Sequence, residues 1–136
     1  MTNVSLAQSY LIKAEKRLKI LAILLADSAF SDVVREAQEV VELALKGMLR
    51  QVGVEPPKWH DVGSHLQEFA ERFPDVARSE LDRLAAISGW LRKEREFAFY
   101  GDIDFIPTEE YSEAVARAFA SEATFVVQRA TALMEK

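Results

Sequence analysis

The chain has 136 residues, 49% hydrophobic and 29% charged, with a formal net charge of −5 at pH 7. That size suits one well-packed domain, and the acidic balance argues against bulk nucleic-acid binding by counterion release while leaving room for a small, locally basic RNA site. Cysteine is absent, which removes disulfides, thiolate metal sites and cysteine nucleophiles and fits an intracellular protein.

No basic segment followed by an apolar core opens the chain, so no secretory signal is read at Met1 to Tyr10. The longest apolar run, Ile20 to Ala26, is far shorter than the ~18 residues of a membrane span. The expectation is one cytoplasmic domain over residues 1–136.

The spacing of Leu6, Tyr10, Ala14, Leu18, Leu21 and Leu25 predicts a first helix from about Asn3 to Ala26, broken at Asp27-Ser28. Ser31 is the expected N-cap of the second, with Asp32 in its first turn. The stripe Val33, Ala37, Val40, Val41, Ala44, Leu45, Met48, Leu49 and Val52 carries that helix to a stop at Gly53, ahead of Pro56-Pro57. A short third helix is expected over Asp61 to Phe73 with Asp61 as cap. The fourth follows over roughly Asp75 to Phe99 and ends before Gly101. The last is expected to start from a cap at Thr108 and end near Met134, and it is rich in alanine. No alternating strand pattern or internal repeat interrupts the series. The fold class is therefore all-α, a five-helix antiparallel up-and-down bundle.

The fourth helix carries the anomaly. On a helical wheel Leu81, Leu84, Ser88, Leu91, Ala98 and Phe99 share an arc of about 100°, and Arg95 falls near its centre with Arg92 on its flank. Ile87, Trp90 and Phe97 form a second apolar face pointing the other way, to be covered by the remaining helices or by a second subunit in a two-fold dimer. An arginine within an apolar arc needs a partner. One reading pairs Arg95 with a carboxylate such as Glu42, Asp102 or Asp104. The other makes it a phosphate-recognising residue, because the planar guanidinium suits phosphate geometry.

Three segments carry a resemblance to a known family. Ser31 to Leu49, with its alanine-glutamine and glutamate-x-alanine-leucine-lysine pattern, resembles the second helix of HEPN domains (higher eukaryotes and prokaryotes nucleotide-binding). Gly53-Val54-Glu55-Pro56-Pro57-Lys58-Trp59-His60-Asp61 resembles the loop that follows it there. Arg95 to Asp102 lies where the family carries an Arg-x4-6-His motif. The resemblance implies a five-helix up-and-down bundle, usually a homodimer, with the motifs of both subunits meeting in a cleft. Many members are metal-independent endoribonucleases. Small stand-alone prokaryotic members are often paired with a minimal nucleotidyltransferase in toxin–antitoxin systems, and in some pairs that enzyme transfers AMP onto a tyrosine of its partner.

This chain departs from the motif where histidine is expected, because Tyr100 occupies that position and Asp102 stands where a tyrosine often follows. A phenol is a hydrogen-bond donor rather than a base at neutral pH. Arg95 and Tyr100 are the catalytic candidates, Arg92 and Arg95 the phosphate-binding ones, and Glu42 and Asp102 the supporting carboxylates. His60 and His65, with Asp61 and Glu68, have poor helical spacing for a metal site, and no metal or cofactor is expected. The leading expectation is a dimeric, toxin-like partner of a minimal nucleotidyltransferase with a nucleotide or RNA phosphate site. The alternatives are a divergent ribonuclease and a purely structural bundle.

Overall fold

The computed structural model describes residues 3–58 and 61–135. Helix α1 spans Asn3–Ala26, α2 Phe30–Gln51, α3 Val62–Glu68, α4 Arg78–Phe99, α5 Pro107–Glu110 and α6 Glu113–Met134, with a single 3-10 turn at Ala70–Arg72. No strand forms among the described residues; Asp102 and Phe105 make one isolated antiparallel bridge. The expected all-α bundle is what forms, with α5 as a one-turn addition.

Helix α2 is the hub. Helices α1, α4 and α6 all pack on it, and α3 leans against α4. Its apolar residues Val33, Val34, Ala37, Val40, Val41, Ala44, Leu45, Met48 and Leu49 are all buried. A helix covered on several sides needs a broad apolar face, and these buried residues spread over about half of the helix circumference.

The chain reversals use the same hydrogen-bond pattern twice. At the end of α1 the Ser28 amide donates to the Leu25 carbonyl and the Ala29 amide to the Leu24 carbonyl, with Ser28 in the left-handed region at φ 58°. At the end of α2, Gly53 donates to Arg50 and Val54 to Leu49. Both are Schellman closures that satisfy the last helical carbonyls. The first brings the chain straight into α2 at Phe30, so Ser31 is a buried helical residue and not the expected cap; Ala29 holds that position without a side-chain bond.

Asp61 does cap α3, accepting from the Gly63 amide at 3.0 Å, and the same oxygen accepts from Ser88 Oγ of α4 at 3.0 Å. Helices α3 and α4 meet closely at Gly63, where a Cβ would lie 2.7 Å from Ala85 Cα. Helix α3 is shorter than expected, because the backbone tightens into the 3-10 turn and folds Phe73 into the core. Helix α4 consequently begins at Arg78 rather than Asp75.

The last helix is also displaced from expectation. Thr108 lies within the one-turn α5, and α6 is capped by Ser112, whose Oγ accepts from the Val115 amide at 3.2 Å. Tyr111 separates the two. Its ring is buried and its hydroxyl donates to Glu94 Oε2 at 3.1 Å, which breaks the helical path between α5 and α6.

The second apolar face of α4 is partly covered within the chain. Ile87 is buried, Trp90 stacks on Phe119 of α6 at 4.1 Å between centroids, and Phe97 meets Phe105 edge-on at 5.5 Å. Trp90 and Phe97 still expose about two-fifths of their surface.

Candidate functional site

Helices α2 and α4 cross antiparallel, and two side-chain contacts define the register. The Arg35 guanidinium lies 4.3 Å from the centroid of the Phe99 ring. One turn further along α2, Glu39 Oε1 forms an ion pair with Arg95 Nη2 at 3.0 Å, and Arg95 is one turn before Phe99 on α4. They are consecutive rungs of one ladder, a cation over a ring followed by an ion pair.

Beside the ladder, Arg35, Arg95, Phe99 and Tyr100 line an open concavity of about 190 Å³. Phe99 and Tyr100 are themselves edge-on at 4.7 Å, and Tyr100 is 75% exposed. Two guanidinium groups next to two aromatic rings can hold a phosphate and contact a flat heterocycle together. The fold orients them through the end of α4. There the Gly101 amide donates to the Phe97 carbonyl, with Gly101 at φ 73°. A Cβ on Gly101 would lie 2.5 Å from the Phe105 carbonyl oxygen and 2.6 Å from Pro107 Cδ, so only glycine fits this turn.

The following loop is tied back to α4 by aromatic contacts and by Tyr111. Burial, and then the hydrogen bond to the Glu94 carboxylate, push the Tyr111 phenol well above its ordinary range. This tyrosine is a buried anchor, in contrast to the exposed Tyr100 beside the cavity.

The expected site residues divide. Arg95 and Tyr100 come together at the concavity; Arg92 is exposed one turn earlier on α4 and does not line it. Arg95 is 38% exposed instead of being enclosed by the apolar arc, because its long side chain reaches past the core to the polar edge of α2. Its carboxylate is Glu39, not Glu42, Asp102 or Asp104. Glu42 accepts from Gln38 Nε2 at 3.1 Å and pairs with Lys46 at 3.3 Å. Asp102 turns into the loop, where its Oδ1 accepts from the Ile103 amide at 2.6 Å.

Sequence reasoning missed Arg35 and Glu39 and placed Phe99 in the core. The signal was present on α2, where Arg35, Glu39, Glu42 and Lys46 recur at spacings of four, three and four and form a polar arc on an otherwise apolar helix. His65 lies on α3 with its ring 6.0 Å from Phe69, outside the concavity. His60 and Trp59 lie outside the described residues.

Electrostatically, the ladder continues to α1. Arg17 Nη1 pairs with Glu36 Oε1 at 2.7 Å, and Glu36 is itself buried. That hydrogen bond, with the added field of Glu36 and a smaller one from Glu39, raises the Arg17 pKa. Glu39 therefore lies within electrostatic reach of two arginines, one on each flanking helix.

The HEPN domain family model matches residues 7–131, nearly the whole chain. The protein belongs to the HEPN family. No curated protein matches the sequence. Among the described residues, no helix is long and apolar enough to cross a membrane, and no three His, Cys, Asp or Glu side chains gather as a metal site would require.

Proposed function

We propose that this HEPN protein acts in the cytoplasm as a dimeric, toxin-like binding partner of a minimal nucleotidyltransferase, with its concavity receiving a phosphate of a nucleotide or RNA. The observation that carries the reading is the convergence of Arg35, Arg95, Phe99 and Tyr100 on one open cavity. A purely structural bundle, with arginines that only bridge carboxylates, predicts no open cleft at Arg95. Exposed apolar residues around the end of α4, namely Phe97, Ile103 and Ile106, support a second chain docking beside the cavity.

Three measurements test this. Co-expression with a minimal nucleotidyltransferase should yield a complex that survives purification, and light scattering should report a dimer of this chain. Nucleotide or RNA binding should fall at least about tenfold in Arg95→Ala, the loss of one charge-assisted contact. If that variant leaves both nucleotide and partner binding unchanged, the assignment is wrong.

The ribonuclease alternative is favoured by one observation, the exposed Tyr100 lining the same concavity as Arg95. It requires RNA cleavage by the purified protein that disappears in Arg95→Ala. Absence of arginine-dependent cleavage leaves the binding role alone.

A further inference from the structure

The other end of the bundle holds a second cavity, of about 260 Å³, between the last turns of α2, the turn that precedes α4 and the end of α6. Met48 and Gln51 on its wall lie roughly 20 to 24 Å further along α2 than Arg35, at 1.5 Å per residue. The two cavities are therefore separate. The wall includes the buried side chains of Met48, Phe73 and Met134. Two unbranched thioethers beside a ring can adapt to apolar groups of differing shape.

Three polar side chains on the same cavity have unmet bonding capacity. Gln51 Oε1 is closed off from solvent and accepts from no donor among the described residues. Asp75 is exposed and has no hydrogen-bond or ion-pair partner among them. Arg72 is exposed as well. Its Nη1 donates to the Val52 carbonyl at 3.0 Å, which holds the guanidinium at the end of α2 and leaves further N–H donors available. One edge of an apolar cavity thus offers an anion, a cation and an orphaned acceptor.

We propose that this cavity binds a free α-amino acid with an apolar side chain. The carboxylate pairs with Arg72 and the ammonium with Asp75, each through a charge-assisted hydrogen bond. The ammonium also supplies the donor that Gln51 lacks, and its amide breaks no bond of Oε1 in turning to it. The side chain displaces water from the wall of Met48, Phe73 and Met134. Both charges discriminate. An apolar carboxylic acid meets Asp75 as a like charge, and an apolar amine meets Arg72 as one. The volume, below the ~300 Å³ at which drug-sized pockets begin, suits a ligand this small.

The test is calorimetric titration of the full chain with L-leucine, L-methionine and L-phenylalanine, and with two truncated forms of leucine. These are 4-methylpentanoate, which lacks the ammonium, and isoamylamine, which lacks the carboxylate. At least one amino acid should bind, and for leucine each truncation should weaken binding about tenfold or more, the loss of one charge-assisted contact. Asp75→Asn should weaken leucine by a similar factor without weakening 4-methylpentanoate. Arg72→Gln should weaken leucine without weakening isoamylamine. Both positions are exposed, so circular dichroism should show the fold retained. Arg95→Ala should bind leucine as the wild type does, which keeps this site distinct from the phosphate site. Three outcomes overturn the proposal: no amino acid binds, the truncated forms bind as tightly as leucine, or Asp75→Asn and Arg72→Gln leave leucine binding unchanged. The second of these would make the cavity a merely apolar one.

Discussion

Arg95 and Glu39 meet 3.0 Å apart across the α2–α4 crossing, with 38% and 28% of their side chains exposed. Ion pairs this open to solvent contribute no more than about 1 kcal/mol. Arg95→Ala is accordingly expected to keep the fold, shifting the urea unfolding free energy by at most about 1 kcal/mol. A loss of phosphate binding in that variant therefore reports the site and not the scaffold. Circular dichroism through a urea titration, run beside the binding measurement, separates the two.

Tyr111→Phe removes the hydroxyl bond to Glu94 and should cost about 1 kcal/mol at neutral pH. The pH dependence is more diagnostic. The folded state holds the phenol's proton above its ordinary range, so the contribution is complete below pH ~10 and is lost as pH rises beyond the unfolded value. Wild-type stability should fall above that pH by up to about 1.4 kcal/mol per unit more than that of Tyr111→Phe. Denaturation midpoints of both proteins at pH 9 and 11 check the sign.

Gly101→Ala should destabilise the protein by about 1 to 3 kcal/mol, since φ 73° disfavours a side chain. The new methyl would also collide with the Phe105 carbonyl. Because that turn aims Phe99 and Tyr100, anion binding is expected to weaken even where the protein stays folded. Melting temperature and nucleotide affinity, measured together, show whether both effects occur.

Asp61→Ala removes an N-cap bond and the Ser88 bond at once and should cost about 1 to 2 kcal/mol. Asp61→Asn keeps an acceptor and should recover roughly half of that. Neither change should alter phosphate binding, because Asp61 is not among the residues around the cavity.

Much of the fold was legible in the chain. The α2 stripe, the Gly53 and Gly101 stops and the Asp61 cap rest on local preferences, and each formed where expected. The misplaced starts share one cause. Ser31 and Thr108 are good caps in isolation, but an αL residue at Ser28 and a buried ring at Tyr111 fixed the chain path first. For the site, periodicity placed Arg95 near the centre of the apolar arc of α4. It offered Glu42, Asp102 and Asp104 as partners and missed Glu39, because Glu39 and Glu42 are less than a turn apart and only the register of two helices distant in sequence separates them. That register also brings Arg35 to Phe99, a contact that no local pattern encodes.

Helix α2 is at once the centre of the packing and the bearer of Arg35 and Glu39. A full substitution scan along it should therefore read like a barcode. Neighbouring positions 33, 34 and 37 should reject polar residues for reasons of folding, whereas 35 and 39, at the polar edge of the helix, should accept them. If the proposed phosphate site holds, its preference would be retuned without reopening the core, but only in steps of one helical turn.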